Sequence, residues 1–211
     1  MSDQSIANEL RAGLESMSAP VDEEQQTLLL RYLGLLERWN KTYNLTAVRD
    51  RSGMVSRHIL DSLSVLPWCV SGHLLDAGTG AGLPGIPLAI VNTALEVTLV
   101  DSVGKKVRFM NHVKRELGLP NIWPVQARLE NFDAPEPPET IISRAFSSLG
   151  AFTEAARHLV GSDTRLLAMK GRFPEEEIND LPEWACVQSV EKLTVPGLHE
   201  NRHLVMMTIK P

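Results

Sequence analysis

Residues 76–82 read Asp-Ala-Gly-Thr-Gly-Ala-Gly, three glycines at alternate positions, directly after the apolar pair Leu74-Leu75 and shortly before the apolar run Leu88-Ala89-Ile90-Val91. Glycine has no Cβ, so it adopts positive φ freely and lets a ligand approach the backbone, and the helix that follows opens with unpaired amides. Strand, glycine turn and helix in that order form a nucleotide-binding layout, found where an α/β sheet presents the C-terminal ends of its strands. The next β-rich run, Val97-Thr98-Leu99-Val100, ends in Asp101, about twenty residues past Gly78. A carboxylate there accepts hydrogen bonds from both hydroxyls of a ribose. Asp76, just ahead of the glycines, suits a ligand with an ammonium group and no pyrophosphate.

Two other readings compete. A glycine-rich structural turn with a surface Asp would need no ligand at all. Gly80-Ala81-Gly82-Leu83-Pro84-Gly85 also spells the G-x-G-x-x-G of dinucleotide enzymes, which points to an NAD-dependent oxidoreductase. Against that stand the late register of this motif behind Gly78, the position of Asp76, and the lack of a Tyr-x-x-x-Lys pair or a second substrate domain.

Around the loop the chain changes rhythm. Ile6, Leu10 and Leu14 recur at helical spacing, and a second helix starts at the N-cap Asp22 with Leu29, Leu33, Leu36 and Trp39 on one face. A third amphipathic helix carries Val55, Ile59, Leu63 and Leu66 and ends at Pro67. From His73 onward short β-rich runs alternate with helical segments: Leu74-Leu75, 97–100, 122–125, Ile141-Ile142 and 166–169. The last two runs, 186–193 and 203–209, are separated by Pro196-Gly197 and no helix, which predicts two antiparallel strands closing the sheet. The expected fold is α/β: a mostly parallel sheet with helices on both faces. Residues 1–70 form a helical cap and 71–211 the main domain, in one compact unit expected to be a monomer. The Pro-rich stretch 134–139 is a stiff loop.

The 211 residues carry a net charge of -5, which argues weakly against nucleic acid because phosphate binding is driven by Lys and Arg. The local pattern differs from the global one: acidic residues crowd the first forty positions, whereas Lys105, Lys106, Arg108, His112, Lys114 and Arg115 form a basic stretch. No apolar run approaches the ~20 residues of a membrane span, and the polar, acidic N-terminus lacks a signal pattern, so a cytoplasmic protein is expected. Cys69 and Cys186 are far apart, which excludes a Cys-x-x-Cys pair and predicts buried free thiols; no metal is expected.

The motifs in combination resemble a known family. Trp39 to Thr46 (Trp-Asn-Lys-Thr-Tyr-Asn-Leu-Thr), Arg57-His58-Ile59-Leu60-Asp61-Ser62, the loop 78–87, Asp101-Ser102 with Lys105-Lys106-Val107-Arg108-Phe109, Ile142-Ser143-Arg144-Ala145-Phe146 and Arg202-His203-Leu204-Val205 are similar to the RsmG (GidB) family. Ala81 stands where some relatives have Pro. That resemblance implies a Rossmann-like class I fold, S-adenosylmethionine as cofactor, and methylation of N7 of guanine 527 in the 530 loop of 16S ribosomal RNA on the small subunit. It assigns Gly78 and Leu83 to the methionine part of the cofactor, Asp101 to the ribose, Leu129 with Glu130 to the adenine, and Arg144 to the reactive methyl or the incoming base. The cofactor set is completed by Asp76, Gly80, Gly82 and Ser102.

A ring nitrogen such as guanine N7 attacks a sulfonium methyl with a neutral lone pair, so no general base is required. The chain accordingly lacks Asn/Asp-Pro-Pro-Tyr and Pro-Cys signatures. Catalysis then rests on alignment and electrostatic fit, with Arg144 and Lys170, at the ends of two successive strands, as positioning residues. Arg144 has the fork to hold guanine O6 or a phosphate, or forms an ordinary ion pair. Candidates for RNA contact are Asn44, His58, Lys105, Lys106, Arg108, Arg202 and His203. Each has a plainer alternative: a turn for Asn44, a His58–Asp61 hydrogen bond packing the cap, a solvated helix face for the lysines and Arg108, a strand brace for Arg202. Tyr43 and Phe146 are stacking candidates, and Trp39 belongs to the core. A small-molecule methyltransferase and a non-catalytic cofactor-binding module remain the alternative functions.

Overall fold

The computed structural model describes residues 2–144 and 146–210; Met1, Pro211 and Ala145 of the Ile142–Phe146 motif lie outside the described residues. Seven strands, β1 (Gly72–Ala77), β2 (Leu95–Asp101), β3 (Ile122–Gln126), β4 (Thr140–Ser143), β5 (Arg165–Lys170), β6 (Ala185–Leu193) and β7 (Arg202–Ile209), form one sheet in the order β3-β2-β1-β4-β5-β7-β6. The first five are parallel, and β7 pairs antiparallel with both β5 and β6. Strand order therefore reverses between β1 and β4, and a crevice opens beyond the carboxyl ends of strands at such a point.

The helices lie on both faces. α1 (Asp3–Ser16), α2 (Glu23–Tyr43), α5 (Gly85–Val91) and α6 (Gly104–Leu117) share one apolar cluster with β1 to β3, in which Ile6, Leu10, Leu29 and Tyr32 meet Ile86, Val97, Phe109 and Met110. The cap helices thus have no separate core. On the other face α7 (Leu149–Ala156) packs Phe152 and Ala156 against Leu75, Val100, Ile141 and Leu166. α2 starts in a capping box: Asp22 accepts from Gln25 N at 2.8 Å while the Gln25 side chain accepts from Asp22 N at 3.0 Å.

The third expected helix is more irregular than its periodicity suggested. α3 (Arg51–Met54) widens into a π-helical turn, Val55–Leu60, and closes with α4 (Asp61–Leu63) before a 3-10 turn at Leu66–Trp68. π-turns inside helices frequently mark functional positions, because the extra residue re-aims side chains. Here the turn leads directly into Asp61. Cys69 is buried and Cys186 only half-buried, so the prediction of two buried thiols is corrected at Cys186, which lies on the outermost strand. Burial pushes the Cys69 thiol up to about 12. α8 (Glu175–Asn179) follows the loop after β5.

Candidate active site

The glycine loop leaves β1 and doubles back under β2: Gly78 N and Thr79 N both donate to Val100 O, at 2.9 and 3.1 Å. Gly78, Gly80 and Gly82 have φ of 67°, 67° and 92°, a region that disfavours side chains. At Gly82 a Cβ would also stand 2.2 Å from Ile86 Cδ1, and at Gly85 one would lie 2.4 Å from Leu99 Cδ2 and 2.8 Å from Asp76 Oδ2. The absence of a side chain at Gly85 lets α5 start directly against β2. Asp76 lies beneath the loop with no exposed surface, and its Oδ2 accepts from Thr79 Oγ1 at 2.5 Å and Gly85 N at 2.8 Å. Burial lifts its carboxyl to about 6, and Oδ1 has no partner. In this position Asp76 braces the loop and does not line the cleft. Tyr32 of α2 adds a second brace, its hydroxyl donating to Ala81 O at 2.9 Å from a fully buried position.

Asp101, at the end of β2, anchors the cleft. Its Oδ2 accepts from Gly80 N at 2.9 Å and Lys106 Nζ at 3.2 Å, and its Oδ1 from Val103 N at 2.9 Å. A carboxylate has about four lone-pair sites, so one stays open, and the Lys106 contact is exchangeable. The cleft, about 250 Å³, is lined by Gly78, Asp101, Ser102, Leu129 and Glu130, joined by Val103, Lys106, Arg128 and Phe146. Of the expected cofactor residues, Gly80 reaches it through its bond to Asp101, while Gly82 and Leu83 are buried in the turn. A buried carboxylate beside glycines, flanked by one aliphatic and one aromatic side chain, fits a ribose carrying a flat heterocycle.

A second hollow, about 280 Å³, opens past β4 and β5 and is lined by Asp61, Arg144, Met169, Lys170, Gly171 and Arg202. Arg144 and Lys170 come together here. Arg144 Nη1 donates to Asp61 Oδ2 at 2.8 Å and to Arg57 O at 3.2 Å; Arg202 Nε donates to Asp61 Oδ1 at 3.0 Å. Burial raises the Asp61 carboxyl, and the two arginines oppose that rise. Lys170 is held by Glu177 at 2.9 Å and by Ser147 O at 3.3 Å. Ser143 Oγ, just before Arg144, donates to Ala77 O at 2.7 Å, tying the end of β4 to that of β1.

The anticipated His58–Asp61 hydrogen bond gives way to another arrangement. His58 Nε2 pairs with Thr46 Oγ1 at 2.9 Å, and both carboxylate oxygens of Asp61 are taken by the arginines. Burial, with Arg144 adding to it, pushes His58 down to about 4. Asn44 is the left-handed C-cap of α2 (φ 48°), and its Oδ1 accepts from Arg49 at 3.0 Å. Lys105 donates to Tyr43 O at 2.6 Å, Lys106 serves Asp101, and Arg108 is exposed on α6, so part of the basic stretch is used internally. Trp39 stacks with Tyr43, Phe109 and His112 at centroid separations of 5.1, 5.5 and 5.3 Å, joining α2 to α6. His203 meets Phe173 edge-on at 5.8 Å. Tyr32, Arg57 and the pairing of Asp61 with two arginines escaped the sequence reading; only the run Arg57 to Asp61 carried a signal for the last two.

Among the described residues no group of three or more His, Cys, Asp or Glu is arranged to hold a metal, and no helix is long and apolar enough to cross a membrane. Residues 25–205 match the family described as rRNA small subunit methyltransferase G. The chain is 48% identical over 202 residues to the ribosomal RNA small subunit methyltransferase G of Salmonella arizonae, covering 96% of this chain and 98% of that protein. It is 49% identical over 205 residues to the protein of the same name from Pseudomonas aeruginosa, covering 97% and 96%. A solved SAM-dependent methyltransferase from Aquifex aeolicus is similar in fold, with a TM-score of 0.59, 19% identity, and coverage of 78% of this chain and 96% of that one.

Proposed function

The chain belongs to the rRNA small subunit methyltransferase G family, and from that premise we propose that it methylates N7 of one guanine, guanine 527, in the 530 loop of 16S ribosomal RNA. Membership makes it a methyltransferase of ribosomal RNA on a Rossmann-like class I fold, with S-adenosylmethionine as cofactor. The small ribosomal subunit is its partner, met in the cytoplasm by a monomer.

One observation carries the reading. The cleft around Asp101 and the hollow around Arg144 sit side by side beyond the strand ends, with Phe146 lining the first and following Arg144 of the second by two residues. Asp101 accepts the ribose hydroxyls, Gly78 allows close approach of the methionine part, and Leu129 with Phe146 flanks the adenine. Bound S-adenosylmethionine supplies a methyl group activated by its sulfonium, which a neutral ring nitrogen takes without first losing a proton. The hollow accordingly offers orienting cations and no base: His58 is buried and held neutral, while Asp61 is engaged by two arginines. Arg144 and Lys170 hold the guanine and its backbone in line with the methyl, which is where rate is gained when no proton moves.

Incubation with tritium-methyl S-adenosylmethionine and small subunits from cells lacking the enzyme tests this. Label in the 16S RNA is expected. Cofactor binding with no label in RNA, presented as subunits or free, would overturn the reading.

A further inference from the structure

Arg57 and Arg202 converge on one carboxylate at the rim of the hollow. Arg57 Nη1 lies 2.7 Å from Glu200 Oε1, and Arg202 Nη2 lies 3.1 Å from Glu200 Oε2, so each oxygen serves one arginine. Arg202 is fixed from behind, its Nε on Asp61 and its Nη1 on Asn201 O at 2.9 Å. Arg57 rides on the π-turn, where its carbonyl accepts from Arg144. Arg57, Glu200, Arg202, Asp61 and Arg144 form a ring with three positive and two negative charges, linked through side chains except where Arg144 donates to the Arg57 carbonyl.

The two carboxylates differ in kind. Asp61 is buried at the hub, whereas the Glu200 side chain is 48% exposed and sits in the connection 194–201 between β6 and β7. Exposed ion pairs hold weakly, so Glu200 is exchangeable where Asp61 is not. A phosphodiester offers two non-bridging oxygens with the charge and spacing of a carboxylate, and a pair of guanidinium forks takes either. The site also lies beside the hollow, because Arg202 lines both.

We propose that Arg57 and Arg202 form a binding site for one backbone phosphate of the substrate RNA, and that Glu200 fills it in the RNA-free protein and swings out when RNA arrives. This rests on the reading that the substrate is RNA. In a chain of net charge -5, a built-in competitor weakens contact with arbitrary phosphates at this fork and leaves it to RNA already docked in the hollow.

The test is a double-mutant comparison of binding, read by sedimentation of the labelled protein with small ribosomal subunits at fixed low salt without cofactor. Glu200→Gln removes the competitor and is expected to tighten binding about three- to tenfold, the loss of two exposed pairs. With Arg57→Ala already in place, that gain should shrink to the effect of Asp163→Asn, an exposed carboxylate in the turn before β5 at the opposite end of the strands, which controls for net charge. Melting temperatures of these surface variants check the fold. A gain from Glu200→Gln no larger than that from Asp163→Asn, or one of equal size with and without Arg57, overturns the site while leaving the RNA reading intact. No co-sedimentation of the wild type or of any variant whose cofactor binding is intact overturns both.

Discussion

Asp61 lies between two guanidiniums, accepting Arg144 through Oδ2 at 2.8 Å and Arg202 through Oδ1 at 3.0 Å. The two arginines come from different strands, one just after β4 and one at the start of β7, and parallel pairing of β4 with β5 and antiparallel pairing of β7 with β5 bring them to the same strand end. Their mutual repulsion is offset by one buried charge, which also fixes the direction each fork faces.

Asp61→Asn should therefore affect turnover more than cofactor binding. The amide cannot accept from both arginines through both of its atoms, so one guanidinium loses its anchor. We expect stability to fall by about 1 to 3 kcal/mol, less than for a fully buried pair because both arginines reach solvent. Methyl transfer should drop at least about tenfold with cofactor affinity unchanged, the pattern of lost alignment. Unchanged turnover would remove the hub from the mechanism.

Asp101→Ala should weaken binding of S-adenosylmethionine by about 1 to 3 kcal/mol, as when a buried polar group loses its partner. Calorimetric titration reads this directly, and wild-type affinity would take Asp101 out of the cofactor site.

The glycines of the loop should differ in tolerance. Gly82→Ala and Gly85→Ala both force a Cβ into occupied space, at 2.2 Å from Ile86 Cδ1 and 2.4 Å from Leu99 Cδ2, whereas a Cβ at Gly80 meets nothing within 4 Å and suffers only the positive φ. Denaturant unfolding should show about 1 to 3 kcal/mol lost at Gly82 and Gly85 and about 1 kcal/mol at Gly80. Equal losses at all three would contradict the packing account.

His58 gives a pH dependence. Its folded pKa of about 4 lies below the usual 6.5, so the unfolded chain binds the proton more readily. The stability this group contributes is complete above 6.5 and is lost as pH falls towards 4, up to about 3 kcal/mol. His58→Gln should flatten that part of the stability curve relative to wild type between pH 6.5 and 4. Parallel curves would mean that His58 does not titrate in this window.

Much of the fold was legible because its signals are local. Alternating glycines after an apolar pair, an acid at the end of the next β-run, and two β-runs joined by Pro196-Gly197 without a helix encode the parallel sheet with its antiparallel close. The π-turn was not legible, since Val55, Ile59 and Leu63 keep an ordinary four-residue spacing and the widening is set by what the turn packs against. Asp76 shows the same limit. Its position before the glycines suggests a ligand contact, and only the folded loop reveals that Thr79 and Gly85 also engage its Oδ2. The ring of Arg57, Glu200, Arg202, Asp61 and Arg144 depends on contacts 83 to 141 residues apart for Asp61 alone, which no local pattern announces.

The most direct test of the central claim is a map of the modified base. Small subunits from cells lacking the enzyme are incubated with protein and S-adenosylmethionine, and their 16S RNA is cleaved chemically at N7-methylguanine and read by primer extension. One new stop, at a guanine in the 530 loop and dependent on both protein and cofactor, is the predicted result. A methyl group at another nucleotide, or RNA label that resists N7-specific cleavage, would contradict the account.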